Sequence, residues 1–338
     1  MSGRHPDRDA IHAAQLLLAR LGISPEDLLT DQAVHAPSPT LAEYVSTVSE
    51  TVTSGTRQVY GPYWNRALGW WAQRRLDSIS ASEIAILVEH TRTHTVTRRN
   101  ARGGHTAAEH QIAALRCIYR HAVADGILTA ADNPALKVSK PRRLPSPRHA
   151  LTAAHIEQVT TVAASTGDDP SLDALLLRFH IETASRREGA LALRPADLDR
   201  EQSLVLLREK GDTVRWQPVS PTLMTHLYAH AQQRGDHNDS LFRYRTGKPI
   251  GKRRYDYIWR RLGQHLPWVA THQVTTHWLR HTTLTWVERN FGYAVARAYA
   301  GHNGSADAGS TKTYVRASVH EVATALSALT GEPHPLAH

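Results

Sequence analysis

His277 and Arg280 stand three positions apart in the run Thr276-His277-Trp278-Leu279-Arg280-His281. On a helix that spacing puts an imidazole and a guanidinium on one face, where both can close on a single small anion. Phosphate is the anion that suits a planar guanidinium with an imidazole beside it. His302 follows Gly301, a residue type that ends helices, and can add another donor. Tyr314 then brings a phenol, which becomes a nucleophile once its proton is taken up. The chemistry these four side chains point to is attack on a phosphate.

Such residues need elements to aim them. The apolar spacing predicts a helix from His277 through Leu284, Trp286 and Val287 to Gly292, then an alanine-rich helix ending at Gly301. His302 and Tyr314 are twelve positions apart, and Asn303 to Ser310 between them reads as flexible polar chain. Ser318 and Glu321 form a capping box for a last helix with Val319, Val322, Leu326 and Leu329 on one side. That stripe must find a groove, on its own domain or on a neighbouring protomer. Upstream, helices are expected after Thr152 and from Ser171 through Leu172, Leu175, Leu176 and Phe179. Two short β-prone runs, Leu204 to Leu207 and Val214 to Val219, flank a hairpin turn at Glu209-Lys210-Gly211-Asp212. A helix follows Ser220-Pro221, and a further one carries Lys252, Arg253, Arg254 and Arg260 among aromatic residues. This basic, aromatic helix is the best candidate for a surface that faces DNA.

The amino-terminal part reads differently. Residues 1–39 form a short helical extension, with an amphipathic helix over 9 to 21. Residues 40–138 form a compact domain of four or five helices. Capping boxes at Thr40/Glu43, Ser80/Glu83 and Thr106/Glu109 precede apolar faces through Leu41, Tyr44 and Val48, through Ile84 and Leu87, and through Ile112 and Leu115. Arg98, Arg99 and Arg102 lie in a glycine-containing loop suited to phosphate contacts. The stretch 139–150, with Arg142 and Arg143 among prolines, has neither helical nor strand period and is the interdomain linker. Residues 151–330 make the second domain and 331–338 a tail. The fold class is mainly α with a small β-hairpin or sheet.

The chain of 338 residues carries 40 Lys+Arg against 31 Asp+Glu, a net charge of +9 that favours a polyanionic partner such as nucleic acid. Its single cysteine, Cys117, sits in an apolar helical pattern and reads as a core thiol, which excludes an intramolecular disulfide and fits a reducing cytoplasm. No apolar run near the polar start is long enough for a membrane span, so no membrane partner is expected.

The order His-x-x-Arg, Gly-His, Tyr resembles the C-terminal signature of the tyrosine recombinases, the phage-integrase family. Thr183-Ala184-Ser185-Arg186-Arg187-Glu188-Gly189-Ala190-Leu191-Ala192-Leu193 resembles that family's first box, commonly Thr-Gly-x-Arg-x-(Ser/Gly)-Glu-x-Leu-x-Leu. The match puts the first catalytic arginine at Arg186, with Arg187 as its rival. Two positions depart from the box: Ala184 replaces the glycine, and the small-then-acidic pair is reversed as Glu188-Gly189. Lys210 occupies the hairpin on which the family carries a lysine that reaches the scissile bond.

The resemblance implies a two-domain DNA clamp, a helical core-binding domain joined to a catalytic domain, acting as a site-specific recombinase or integrase. Tyr314 would form a 3′-phosphotyrosyl link, Arg186 and Arg280 would hold the non-bridging oxygens, and His277 would take the tyrosine proton. His302 would add a hydrogen bond, and Lys210 would protonate the leaving 5′-oxygen, with no cofactor and no metal. The implied partners are double-stranded DNA with inverted-repeat core sites, a homo-tetramer on two duplexes, and an accessory DNA-bending or directionality factor. The last helix would dock on a neighbouring protomer. A non-catalytic helical DNA-binding regulator, a type IB topoisomerase or telomere resolvase, and a metal site on His277, His281 and His302 are the competing readings.

Overall fold

The computed structural model describes residues 8–22, 38–95, 102–142, 148–209, 213–235, 240–301 and 317–338. It separates into two compact units, Met1–Pro145 and Ser146–His338.

The first unit is built from helices α1 (Arg8–Leu21), α2 (Leu41–Thr51), α3 (Ser54–Trp71), α4 (Ala81–Thr93), α5 (His105–Ala124) and the short α6 (Pro134–Lys137). Both Thr40/Glu43 and Ser80/Glu83 close as reciprocal capping boxes, which satisfies amides that the first turns of α2 and α4 leave open. Leu41, Val48, Trp64, Ile84, Leu87, Ile112, Leu115 and Tyr119 fill one core. The two large polar aromatics enter it because their tips find partners: Trp64 Nε1 donates to the Ala114 carbonyl (3.0 Å), and Tyr119 Oη to that of Leu76 (3.1 Å).

Helix α5 does not start at a Thr106/Glu109 box. It starts at His105 behind Gly104, which makes no side-chain cap. The chain turns into this helix at positive φ on both Gly103 (59°) and Gly104 (78°), and a Cβ on Gly104 would lie 2.0 Å from the Arg92 carbonyl oxygen. Only glycine fits so close an approach. Glu109, freed from capping, pairs with Lys140 Nζ at 3.0 Å.

The second unit runs α7 (Ala153–Ser165), α8 (Pro170–Thr183), α9 (Arg187–Leu191), β1 (Leu198–Asp199), β2 (Leu204–Glu209), β3 (Thr213–Pro218), α10 (Pro221–Arg234), α11 (Lys252–His265), α12 (Pro267–His272), α13 (Thr276–Tyr299) and α14 (Val319–Thr330). The three strands form an antiparallel sheet in the order β1-β2-β3, with Val205 opposite Gln217, Leu207 opposite Arg215 and Glu209 opposite Thr213. Helix α8 is buried nearly all round, with Leu172, Leu176, Leu177 and Phe179 fully buried and Asp173, His180 and Glu182 buried with partners, so it forms the centre of the unit. Helix α13 breaks at Gly292 (φ 83°, ψ 171°), the position where the sequence places the junction of two helices.

The last helix packs on its own chain. Val322, Ala325 and Leu326 are buried in a cluster with Ala184, Val287, Val295 and Tyr299, while Val319 and Leu329 are half-buried. Burying a Val or Leu side chain contributes about 1.5–3 kcal/mol, and in the single chain the groove beside α13 supplies that burial on the helix's own domain, one of the two places expected for the stripe. Residues 331–338 are tied down as well. Glu332 accepts from Arg178 Nη2 (2.9 Å), and the buried His334 is hydrogen-bonded to the Ser203 carbonyl (3.1 Å).

Candidate active site

Arg186 lies on the turn that leaves α8. The chain exits through Ala184 in the left-handed region (φ 48°, ψ 25°) and returns to extended geometry at Arg186, which starts α9. The family's first box has glycine at this position, and the positive φ gives the physical reason. A non-glycine residue there is strained by roughly 1–2 kcal/mol. The buried methyl group of Ala184, a member of the α14 cluster, offsets about 0.8 kcal/mol of that. His180 holds the turn from inside: its Nδ1 lies 3.2 Å from the Ser185 carbonyl oxygen and its Nε2 2.9 Å from Tyr255 Oη. Desolvation lowers the pKa of this fully buried imidazole to about 4.

Glu209, the last residue of β2, anchors Arg186 twice. Its carboxylate accepts from the Arg186 backbone amide (2.6 Å) and from Nη1 (2.9 Å), and its side chain is fully buried. Two residues along the inward face of β3, Arg215 Nη2 stands 3.9 Å from the same carboxylate. Arg215 Nη1 donates to Gln217, while Nε and Nη2 make no hydrogen bond among the described residues. Burial pulls the pKa of this guanidinium down to about 10, which leaves it charged at neutral pH. Its Nε would be 2.5 Å from a Cβ on Gly301 (φ 67°), so that glycine is required by both its backbone and its neighbour.

Arg280 enters from α13. It is 4% exposed and donates to the carbonyls of Ala184 and, at 2.8 Å, Ala300. Burial, then the positive charge of Arg186, lowers its pKa to about 10. Helix α13 is pinned where this matters: Trp259 Nε1 donates to Thr276 Oγ1 (2.9 Å), and Thr283 Oγ1 donates to the Ile181 carbonyl on α8 (2.7 Å). His277, at the exposed start of α13, has its pKa lowered by partial desolvation and then by the charges of Arg148, Arg280, His281 and Arg186. The imidazole is therefore neutral at pH 7 and free to accept a proton.

The structure thus brings Arg186, Arg280 and His277 into one electrostatic neighbourhood and adds Glu209 and Arg215, which the sequence reading missed. Both are signalled by strand alternation: positions 205, 207 and 209 of β2 and 213, 215 and 217 of β3 share one face, so a carboxylate and a guanidinium point inward among apolar residues. Arg187 pairs on the surface with Glu188 (3.2 Å), which also meets Lys252 (3.3 Å). Lys210, His302 and Tyr314 lie outside the described residues. So do Arg98, Arg99 and Arg143, and the side chain of Arg102.

Of the remaining basic residues, Arg142, Lys252, Arg253 and Arg260 are exposed. Arg253, Tyr257 and Arg260 follow one another along the outer face of α11. Arg254 does not belong with them. It is 3% exposed and bound to Asp173 and Asp168, because its position on the helix turns it into the core, where an unpaired guanidinium would be costly. Among the described residues, no three His, Cys, Asp or Glu side chains are grouped to hold a metal ion, and no helix is long and apolar enough to cross a membrane.

A family model described as the phage integrase family matches residues 149–321, just over half of the chain. A tyrosine recombinase XerC from Mesorhizobium japonicum is 30% identical over 198 residues, covering 56% of this chain and 61% of the relative, so the alignment spans less than two thirds of that protein. XerC from Chlamydia trachomatis serovar L2 is 28% identical over 230 residues, 64% of this chain and 67% of the relative. The fold is similar to that of a lambda integrase tetramer bound to a Holliday junction (TM-score 0.61, 17% identity, 91% of each chain). It is also similar to the Tn1549 transposon integrase in complex with a circular intermediate DNA (TM-score 0.61, 17% identity, 79% of this chain and 93% of that one). With the arginine pocket in place and the family match lying over the unit that contains it, the chain belongs to the phage integrase family, the tyrosine recombinases.

Proposed function

We propose that the protein is a site-specific DNA recombinase that cleaves and rejoins duplex DNA through a 3′-phosphotyrosyl intermediate. The observation that carries this is the pocket of Arg186 and Arg280, two guanidiniums held by Glu209 and by backbone carbonyls beside a neutral imidazole. Pre-aimed donors of this kind stabilise the charge that builds on the non-bridging oxygens of a phosphorane and cost no reorganisation when it forms. Tyr314 Oη attacks the scissile phosphorus, its proton passes to His277, and the P–O5′ bond breaks as Lys210 protonates the departing oxygen. His302 donates to a phosphoryl oxygen. The phosphotyrosyl ester conserves the bond energy, so a 5′-hydroxyl can reverse the attack and reseal without ATP.

The DNA partner is a duplex with inverted-repeat core sites, held against the outer face of α11 and the basic residues of the first unit. Assembly is a homo-tetramer on two duplexes in the cytoplasm, with an accessory DNA-bending or directionality factor. The neighbouring folds come from integrases bound to DNA as dimers and tetramers, which favours this assembly. The test is a set of nicked suicide duplexes drawn from the DNA flanking the coding sequence. The wild-type protein should yield a covalent adduct in excess EDTA, and Tyr314→Phe should yield none while still shifting the same duplex. Binding without an adduct in the wild type would favour the regulator; an adduct unchanged by Tyr314→Phe would remove Tyr314 as the nucleophile.

A further inference from the structure

Gly189 occupies the place at which the first box carries its acidic residue, and the acid that sits there in space comes from elsewhere in the chain. A Cβ built on Gly189 would stand 3.1 Å from Glu209 Cγ and 3.3 Å from its Oε1. The bare glycine is what admits the Glu209 side chain against the α9 turn, where its two oxygens divide between the Arg186 amide and guanidinium. Glu188, next in sequence to Gly189, is half out in solvent with Arg187 and Lys252 and supplies nothing to the pocket.

We propose that Glu209 is the positioning residue of this active site: the carboxylate that orients Arg186 has moved from the helical turn to the end of strand β2, and Gly189 is the complementary half of that exchange. Arg215 completes the arrangement by keeping a second positive charge on the buried carboxylate. Glu209 touches no substrate and acts through Arg186. The role rests on the recombinase reading for its kinetic readout but not for its structural one.

Single-turnover cleavage of a nicked suicide duplex is the measurement, with melting temperature recorded for each variant. Glu209→Ala should slow cleavage by about a hundredfold, the usual loss when a catalytic group drifts by about an ångström, with half-site binding retained. Gly189→Glu alone should also be slow, because two carboxylates then compete for one space. The double variant Gly189→Glu/Glu209→Ala should recover at least tenfold over Glu209→Ala, a rescue that a merely structural strand residue would not give. In an Arg186→Ala background, Glu209→Ala should add less than about a twofold loss, since both act as one unit. Full additivity, or no rescue in a folded double variant, overturns the proposal. If the wild type forms no adduct, the recombinase reading fails and the structure of Glu209→Ala decides alone: Arg186 displaced upholds the positioning role, and Arg186 unmoved ends it.

Discussion

Two arginine clusters in the second unit differ in how many carboxylates meet them. Around the start of α8, Arg234, Arg254 and Arg261 are matched by Asp168, Asp169 and Asp173, with Arg254 and Arg261 both within 2.7 Å of Asp173. At the other end of α8, Glu209 is the one carboxylate among the described residues that meets Arg186 and Arg215, and Arg280 beside them donates to backbone carbonyls. Apart from the exposed Arg245, 3.7 Å from Asp169, the first cluster is balanced in charge and joins α8 to α10 and α11. The second keeps an excess of about two positive charges in a partly desolvated place, which is the condition for binding an anion strongly. Counting arginines does not separate structure from function. Counting the carboxylates beside them does.

Breaking the comparison at its poles gives the largest effects. Arg280→Ala should lower cleavage by at least about a thousandfold, with a smaller loss of stability than the removal of an ion pair, because the partners that lose a donor are neutral carbonyls. Arg254→Ala should do the reverse, costing up to about 3–5 kcal/mol in urea denaturation by removing one of the two guanidiniums that hold the buried Asp173, while the folded fraction cleaves at the wild-type rate. If the two variants proved equal in both assays, the distinction between a balanced and an unbalanced cluster would fail.

A smaller effect sharpens the same contrast through pH. His180 and His230 both have folded pKa values lowered to about 4, in each case chiefly by burial. A depressed histidine contributes stability that is fully present above its unfolded value near 6.5 and is lost as pH falls toward the folded value. Acid unfolding should therefore steepen between pH 6.5 and 4, and His180→Gln should flatten that limb in a denaturation series. His277 is shifted in the same direction, chiefly by burial, so the acid limb of cleavage should lie below the ordinary histidine range. A cleavage optimum that required a protonated His277 would remove it as the base.

Smallest is Ala184→Gly. Relief of the positive φ is countered by a lost buried methyl and by the freer unfolded chain, so stability should change by less than about 1 kcal/mol, with cleavage intact. A larger loss in thermal melting would mean that the methyl, and not the turn, governs the site.

Much of this was legible in the chain beforehand, for identifiable reasons. Capping boxes at Thr40, Ser80 and Ser318 are local chemistry, and each closes as the spacing predicts. The hairpin flanking Lys210 and the break at Gly292 are local too. Thr106 failed because a close backbone approach by Arg92, at the end of the preceding helix α4, fixed the helix start at Gly104. Arg254 failed because a run of basic residues on a helix says nothing about which of them turns inward until Asp173 is known to lie beneath. Glu209 and Arg215 were hidden because their importance depends on register across the hairpin and on the space left by Gly189, neither of which a motif records.

The apolar cluster under α14 includes Ala184, the residue that sets the turn for Arg186, and Tyr299, whose hydroxyl donates to the Glu182 carbonyl at the end of α8. The last helix is therefore a keystone for the arginine pocket as well as the end of the chain. A protomer whose last helix leaves this cradle uncovers the underside of the turn that carries Arg186, so a truncation after Ser318 should lose cleavage even on an isolated half-site, before any question of assembly arises.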